Sequence, residues 1–267
     1  MTLGASRIAS GNFHIETAFA VPEEKVLIKH ERRTLIWRQE LGVGEATVVK
    51  MYRPHGFADW QRERLFRFGV QREYETLRVL ESAGVPCSVS LLWGFGSEVE
   101  RGRFEILVTR EIPDAVSLRQ AFAPGAASLA VDDLLPLFDA VRQMHRCGMY
   151  HGALYPKNTL VTRAPQRGYA YHLIDMARAI RFPTDVQGTA MARYDLLCLL
   201  HGLTQLRPGI LCEALLSRYG LAEAEIRELL ARLARFRPTR DLRKRLAFCF
   251  QVRSLAARLG TRRPSDA

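Results

Sequence analysis

Two polar residues, Asn158 and Asp175, are spaced so that they could hold metal ions at one end of a hairpin. Asn158 precedes a short apolar run at residues 160–161, and a second β-rich run, residues 169–175, ends at Asp175. The Pro and Gly between these runs favour a turn, which predicts the hairpin. In phosphoryl transfer, a loop Asn and a strand-end Asp hold the metal ions that bridge the phosphate oxygens. Taken alone, a plain hairpin with an incidental Asn and Asp would give the same pattern.

The residues before Asn158 resemble the catalytic loop of protein kinases. When that loop is written His-Arg-Asp-Leu-x-x-x-Asn, the chain matches it without a gap at His151, Leu154 and Asn158. Asp175 then falls where the second metal-binding Asp of the kinase pattern is expected. The position of the catalytic Asp is occupied by Ala153. The pattern therefore predicts a protein that holds metal-bound nucleotide but lacks the usual proton acceptor.

Three nearby side chains could accept the proton instead. They are His151, Tyr155 and Lys157. The loop His of kinases usually packs inward, and Tyr155 is better suited to packing than to acid–base work. Loss of a general base typically costs about 10²–10⁴-fold in rate, so catalysis could survive without one.

A predicted strand hairpin upstream carries a candidate phosphate-binding lysine. Residues 33–41 and 46–52 are β-rich and are separated by a tight turn that contains Gly42 and Gly44. Lys50 lies in the second strand after two valines. By resemblance to the nucleotide-binding hairpin of kinases, Lys50 would contact the α- and β-phosphates, and Gly42 and Gly44 would line the nucleotide. An ordinary hairpin turn also favours glycine.

An amphipathic helix should follow the hairpin and supply an acidic partner for the lysine. Residues 60–82 have apolar residues at helical spacing, and Gly84 and Pro86 give a stop signal. Kinases pair the strand lysine with a glutamate on this helix. Glu73 is the predicted partner and Glu75 the alternative.

The remaining elements predict an α+β, two-lobed protein-kinase-like fold. Two more strands, near residues 89–95 and 103–109, complete a small antiparallel-sheet N-lobe, which we place at residues 1–112. Residues 113–267 form a mainly helical C-lobe, with helices at 131–147, 193–202, 213–236 and 239–259. Asp195, near the start of one helix, either caps it or ties down the catalytic loop. We expect Lys50, Asn158 and Asp175 to converge on one cleft between the lobes.

Four phrases resemble the bacterial lipopolysaccharide-core kinases, which phosphorylate Kdo or heptose sugars. They are residues 72–77 with 83–86, residues 150–158, residues 173–178, and residues 193–196. Gly152 and Arg178, where protein kinases have Arg and Gly, suit that group. The resemblance implies ATP and Mg²⁺ as cofactors, with Asn158 and Asp175 as metal ligands. It also implies Lys50, Glu73 and His151 as further catalytic-site residues.

Composition excludes several other classes of protein. The chain has 267 residues, and a hydrophobic content of 48% is sufficient for a packed core. We expect no transmembrane helix, because no apolar run reaches the necessary length, and no secretory signal. The five cysteines include no Cys-x-x-Cys pair, so neither a zinc site nor a disulfide framework is indicated.

A net charge of +11 is concentrated late in the chain, mostly as arginines between residues 227 and 263. A solvated helical face, an anionic membrane surface and nucleic acid are the alternatives. Nucleic acid ranks lowest, because no nucleic-acid-binding motif accompanies the charge. The family resemblance implies a cytoplasmic protein, peripheral at the inner face of the cytoplasmic membrane, acting on a lipid-linked core oligosaccharide.

Two functions remain open from the sequence. The first is an ATP-dependent kinase for a lipopolysaccharide-core sugar, supported by Lys50, Asn158 and Asp175. The second is a pseudokinase that binds nucleotide or a partner without turnover, because Ala153 replaces the catalytic Asp.

Overall fold

The computed structural model describes residues 8–10, 13–15, 27–30, 34–41, 45–53, 69–98, 102–124, 129–164 and 168–238. The chain divides into two compact units, which are residues 1–79 with 88–112 and residues 80–87 with 113–267.

The first unit is built on antiparallel strands. They are β1 (Ile8–Ser10), β2 (Phe13–Ile15), β3 (Leu27–His30), β4 (Thr34–Leu41), β5 (Glu45–Tyr52), β6 (Ser90–Glu98) and β7 (Gly102–Arg110). β1 pairs with β2, and the other five form a sheet in the order β3-β4-β5-β7-β6. The helix α1 (Val70–Ser82) lies between β5 and β6 in the sequence.

Alternation along the strands gives this sheet an apolar face that forms a core. Because successive side chains point to opposite faces of a sheet, residues two apart share a face. The buried cluster follows this period and consists of Leu35, Trp37, Val49, Met51, Phe104, Ile106 and Val108. Lys50 lies between two members of this cluster, and its side chain is therefore on the opposite face.

The second unit is mainly helical. Its helices are α2 (Leu118–Ala121), α3 (Leu135–Arg146), α4 (Ala190–Leu206), α5 (Cys212–Tyr219) and α6 (Glu223–Arg235), with short 3-10 turns at Asp132–Leu134, Pro156–Asn158 and Met176–Arg178. Its strands are β8 (Val116–Ser117), β9 (Met149–Tyr150), β10 (Thr159–Arg163), β11 (Tyr169–Leu173) and β12 (Ile180–Arg181). They form two small sheets, β11-β10-β8 and β12-β9.

The predicted α+β class is confirmed, with antiparallel strands in the N-terminal part and helices dominating the C-terminal part. The predicted helix at residues 60–82 is present from Val70, and its earlier part lies outside the described residues. The predicted helical stretch from residue 213 to 236 is two helices. Gly220 ends the first of them in a left-handed conformation, with φ of 100°. This is a common way for a helix to terminate, because glycine has no side chain to oppose it.

The helix that contains Asp195 begins at Ala190 and is capped by the side chain of Thr189, so Asp195 is an interior residue of the helix rather than its cap. The helix expected at residues 239–259 lies outside the described residues. Among the helices that are described, none is long and apolar enough to cross a membrane.

Candidate active site

In the first unit, Lys50 and Glu73 form a close ion pair. The Nζ atom of Lys50 lies 2.8 Å from Oε2 of Glu73, and Glu73 is only 3% exposed. β5 positions the lysine and the first turn of α1 positions the glutamate. The alternative acid, Glu75, is exposed and accepts a hydrogen bond from Gln71. The structure thus pairs the lysine with Glu73, the predicted partner.

Glu105 fixes the start of the helix that carries Glu73. Its Oε2 atom accepts a hydrogen bond of 3.1 Å from the backbone N–H of Val70, the first residue of α1. A carboxylate at this position satisfies a free N–H group and interacts favourably with the positive end of the helix. Glu105 on β7 lies directly opposite Tyr52 on β5. Because Tyr52 and Lys50 are two residues apart on β5, Glu105 and Lys50 share a face of the sheet. The sequence interpretation did not include this residue.

In the second unit, the predicted hairpin brings Asn158 and Asp175 to one end. Thr159 pairs with Leu173 at the last ladder position, and the N–H of Ile174 donates to the carbonyl oxygen of Asn158 at 3.1 Å. Asp175 follows directly and is exposed. It has φ of 60° and ψ of 53°, a left-handed conformation that is uncommon outside glycine. Such backbone conformations cluster at functional sites, where the surrounding structure maintains them.

The oxygen atoms at this end of the hairpin suit magnesium. The Nδ2 atom of Asn158 donates to the carbonyl oxygen of Ala153 at 2.8 Å, which leaves Oδ1 as the acceptor atom of that side chain. An amide oxygen and a carboxylate are hard ligands of the kind that Mg²⁺ takes, together with waters and substrate phosphates. No cluster of three His, Cys, Asp or Glu residues that could enclose a metal occurs in the part of the chain that the structure describes. A site shared with phosphates needs no such cluster.

His151 is held by two hydrogen bonds and is fully buried. Its Nδ1 accepts from the N–H of Ala153 at 3.3 Å, and its Nε2 lies 3.2 Å from the carbonyl oxygen of Ile174. The first contact requires Nδ1 to be unprotonated, so Nε2 carries the hydrogen and donates it. Burial lowers the pKa of His151, although the nearby Asp195 and Asp175 oppose that shift. With both nitrogens engaged, His151 connects the loop to the end of β11 and has no nitrogen available for a substrate proton.

Asp195 anchors the loop from α4. Its two oxygens accept from the backbone N–H groups of His151 at 2.8 Å and of Gly152 at 3.0 Å. The Nε2 atom of His145 lies 3.3 Å from the same carboxylate, and the other ring nitrogen of His145 lies 2.8 Å from the hydroxyl of Tyr219. Asp195 and His145 are completely buried. Of the two roles considered for Asp195, the structure supports anchoring of the loop.

Close packing explains the glycine in the loop. Gly152 has φ of 75°, and a Cβ there would lie 2.9 Å from the carbonyl oxygen of Arg178, so a side chain would be obstructed. Ala153 is 6% exposed and contributes no acid.

The two remaining candidates for the proton acceptor, Tyr155 and Lys157, lie in different environments. Burial raises the pKa of the Tyr155 phenol, so it stays protonated at neutral pH, and Lys157 is exposed.

Gly42 and Gly44 lie outside the described residues, and so does most of the basic C-terminal stretch, from residue 239 onwards.

The functional residues that the sequence interpretation missed are Glu105, His145 and Tyr219. Each acts through a contact with a residue distant in sequence.

Comparison with known proteins assigns the family. A family model described as the lipopolysaccharide kinase (Kdo/WaaP) family matches residues 18–189. The chain belongs to this family. As a Kdo/WaaP family member it has a protein-kinase-like fold. A solved structure of WaaP in complex with acyl carrier protein matches with a TM-score of 0.54 and 20% identity, over 88% of each chain.

A second solved structure is more distant. The Rio2 kinase from Chaetomium thermophilum matches this Kdo/WaaP family member with a TM-score of 0.48 and 17% identity, over 85% of this chain and 71% of that one. A search of curated proteins returned no match.

Proposed function

We propose that this protein is an ATP-dependent phosphotransferase that acts on a hydroxyl group of a lipopolysaccharide-core sugar, a Kdo or a heptose. The observation that carries the proposal is the ion pair of Lys50 and Glu73, at 2.8 Å. Kinase activity requires this pair to be in place, because it directs the ammonium group at the nucleotide phosphates. Membership of the Kdo/WaaP family supports the sugar acceptor.

In this proposal, each predicted lobe has a distinct task. Residues 1–112 bind the nucleotide, with Lys50 neutralising charge on the α- and β-phosphates and Glu73 fixing the lysine. In residues 113–267, Asn158 and Asp175 hold magnesium, which when bound neutralises the charge that develops during transfer. Asp195 and His151 keep the backbone of the loop in position through the hydrogen bonds described above.

Ala153 changes how the acceptor is activated. In the transfer, the acceptor oxygen bonds to the γ-phosphorus, the bond to the β–γ bridging oxygen breaks, and ADP leaves with the electron pair. Because the transition state is loose, the acceptor hydroxyl can lose its proton late, to water or to a phosphate oxygen, without a side-chain base. Lack of the base lowers the rate by about 10²–10⁴-fold, and the enzyme is therefore slow.

The experiment is a phosphotransfer assay with radiolabelled ATP, Mg²⁺ and acceptors that contain Kdo or heptose. We expect label in the sugar with the wild-type protein and none with Asp175→Asn. Absence of transfer from the folded wild-type protein to every acceptor would contradict the proposal.

A second candidate function is a pseudokinase, which the alanine at position 153 favours. It predicts that ATP with Mg²⁺ raises the melting temperature while no label reaches any acceptor. The melting temperature and the transfer of label together therefore separate the candidates.

We also infer that the protein works at the inner face of the cytoplasmic membrane, where its acceptor is lipid-linked. Part of the basic charge on α6 is already paired within the helix, since Arg227 pairs with Glu223 and Arg232 with Glu228. In this inference, the arginines beyond residue 238 supply the attraction to anionic lipid. The protein should float with vesicles that contain anionic lipid and not with neutral vesicles, and high salt should release it.

A further inference from the structure

One face of α4 contacts the catalytic loop at three successive places. Asp195, Cys198 and Gly202 are spaced three and four residues apart, so they lie on the same side of the helix. Asp195 accepts from the backbone of His151 and Gly152, as described above. Cys198, which is buried, interacts with the phenol of Tyr155.

The third contact is steric. A Cβ atom at Gly202 would lie 2.7 Å from Cγ of Pro156 and closer still to its Cδ. Carbon atoms in contact are normally about 3.5–4.0 Å apart, so the Pro156 ring occupies the space that any side chain at residue 202 would need. The ring is joined to the backbone at both ends and cannot rotate away.

Pro156 is joined to Asn158 by a single rigid turn. Pro156 is the first residue of the 3-10 turn that ends at Asn158. The turn is closed by the hydrogen bond from the N–H of Asn158 to the carbonyl oxygen of Tyr155, at 2.8 Å. A shift of the proline ring by about 1 Å would therefore move the side chain of Asn158 with it. Misplacement of about 1 Å can cost roughly 100-fold in rate.

We propose that Gly202 is a positioning residue for Asn158. By lacking a side chain it lets Pro156 pack directly on α4, and this contact sets the position of the amide oxygen of Asn158. The consequence for metal binding rests on the proposed function, whereas the consequence for the loop does not.

The test uses four variants. Gly202→Ala introduces the clash, and Pro156→Ala removes the two ring atoms involved. The double variant Gly202→Ala with Pro156→Ala combines them. Gln205→Ala is the control, because Gln205 is an exposed residue on the same helix. Alanine is favoured over glycine inside a helix, so Gly202→Ala strengthens α4 itself and any loosening arises at the loop.

The first readout is hydrogen exchange of the backbone N–H groups of Asn158 and Ile174, measured without nucleotide. We expect Gly202→Ala to exchange about 10-fold faster or more at these two amides, and Gln205→Ala to match the wild type. The double variant should return to the rate of Pro156→Ala. This readout does not depend on whether the protein is a kinase.

The second readout is the Mg²⁺ concentration needed for nucleotide binding, which Gly202→Ala should raise about 10-fold or more while Gln205→Ala leaves it unchanged. If the wild type binds no nucleotide, the proposed function fails and hydrogen exchange alone decides the role of Gly202.

The proposal would be overturned if Gly202→Ala exchanged like the wild type, or if the double variant exchanged faster than Pro156→Ala. If Gly202→Ala does not fold, the double variant decides. Its recovery to the behaviour of Pro156→Ala supports the clash, and its failure to fold contradicts it.

Discussion

Asn158 donates its side-chain Nδ2 to the backbone carbonyl oxygen of Ala153 across 2.8 Å. The N–H of Tyr155 donates to the same oxygen at 2.9 Å. Both contacts use the main chain of residue 153 and neither uses its side chain. The loop is therefore closed in a form that does not depend on an acid at that position.

This relationship predicts that an acid can be restored without rebuilding the loop. Ala153→Asp should raise phosphotransfer by about 10²–10⁴-fold, because it supplies a general base. The measurement is kcat for the sugar acceptor, with Ala153→Asn as a control of the same size that cannot act as a base. A folded, nucleotide-binding Ala153→Asp protein with unchanged kcat would show that the missing base does not limit the rate.

The pair of Lys50 and Glu73 can be tested with two glutamates from the same helix. Glu73→Gln should lower kcat/KM for ATP by about 10-fold or more, because a charge-assisted hydrogen bond worth roughly 1.5–3 kcal/mol no longer holds the lysine. Glu75→Gln, at an exposed site bonded to Gln71, should leave kcat/KM unchanged. Equal effects of the two substitutions would argue against a role for the pair.

Asp195 should dominate the stability of the loop. Asp195→Asn leaves one side-chain oxygen for two backbone N–H groups, so one donor is left buried without an acceptor. We expect a loss of about 3 kcal/mol in the free energy of unfolding, measured with urea. Asp139→Asn breaks an exposed ion pair with Arg218, which solvent screens, and should cost much less. A small effect of Asp195→Asn would mean that the loop is held by other contacts.

His151 gives the stability a predictable pH dependence. Burial lowers its pKa from the ordinary value of 6.5, so below that pH the unfolded chain binds a proton that the folded chain does not. The stabilisation is complete above about pH 6.5 and is lost as the pH falls towards the folded-state pKa, by at most about 1.4 kcal/mol per pH unit.

The check is urea unfolding of the wild type and of His151→Gln between about pH 7.5 and pH 5.5, because glutamine does not titrate. The wild type should lose more stability on acidification than the variant. His172 and His201 also have lowered pKa values, but both are present in each protein and cancel in the difference. Parallel pH profiles would contradict the assigned environment of His151.

Sequence reasoning succeeded where a local pattern carried the information. β-rich composition on both sides of a glycine turn located the strands around Lys50, and helical spacing followed by Gly84 and Pro86 located α1. The turn residues between β10 and β11 predicted the hairpin that brings Asn158 and Asp175 together. In each case the deciding signal lies within a few residues of the element it specifies.

The contacts that were missed join residues far apart in the chain. Glu105 caps a helix from a strand that follows it, and Tyr219 reaches His145 from α5. Gly202 has no side chain, so its importance becomes visible only when Pro156 is found against it. Gly220 gave a local signal for the break between α5 and α6, since glycine commonly ends a helix. The break was not predicted because the helical spacing of apolar residues continues on both sides of it.

The central claim of the proposed function is that Asp175 and Asn158 hold the magnesium of a bound nucleotide. The most direct test is calorimetric titration with ATP, with and without Mg²⁺, of the wild type and Asp175→Asn. Asparagine tolerates the left-handed backbone of residue 175, so this variant removes the charge and little else. We predict Mg²⁺-dependent binding by the wild type and at least about 10-fold weaker binding by Asp175→Asn. ATP binding that is indifferent to both Mg²⁺ and this substitution, or no binding at all, would contradict the account.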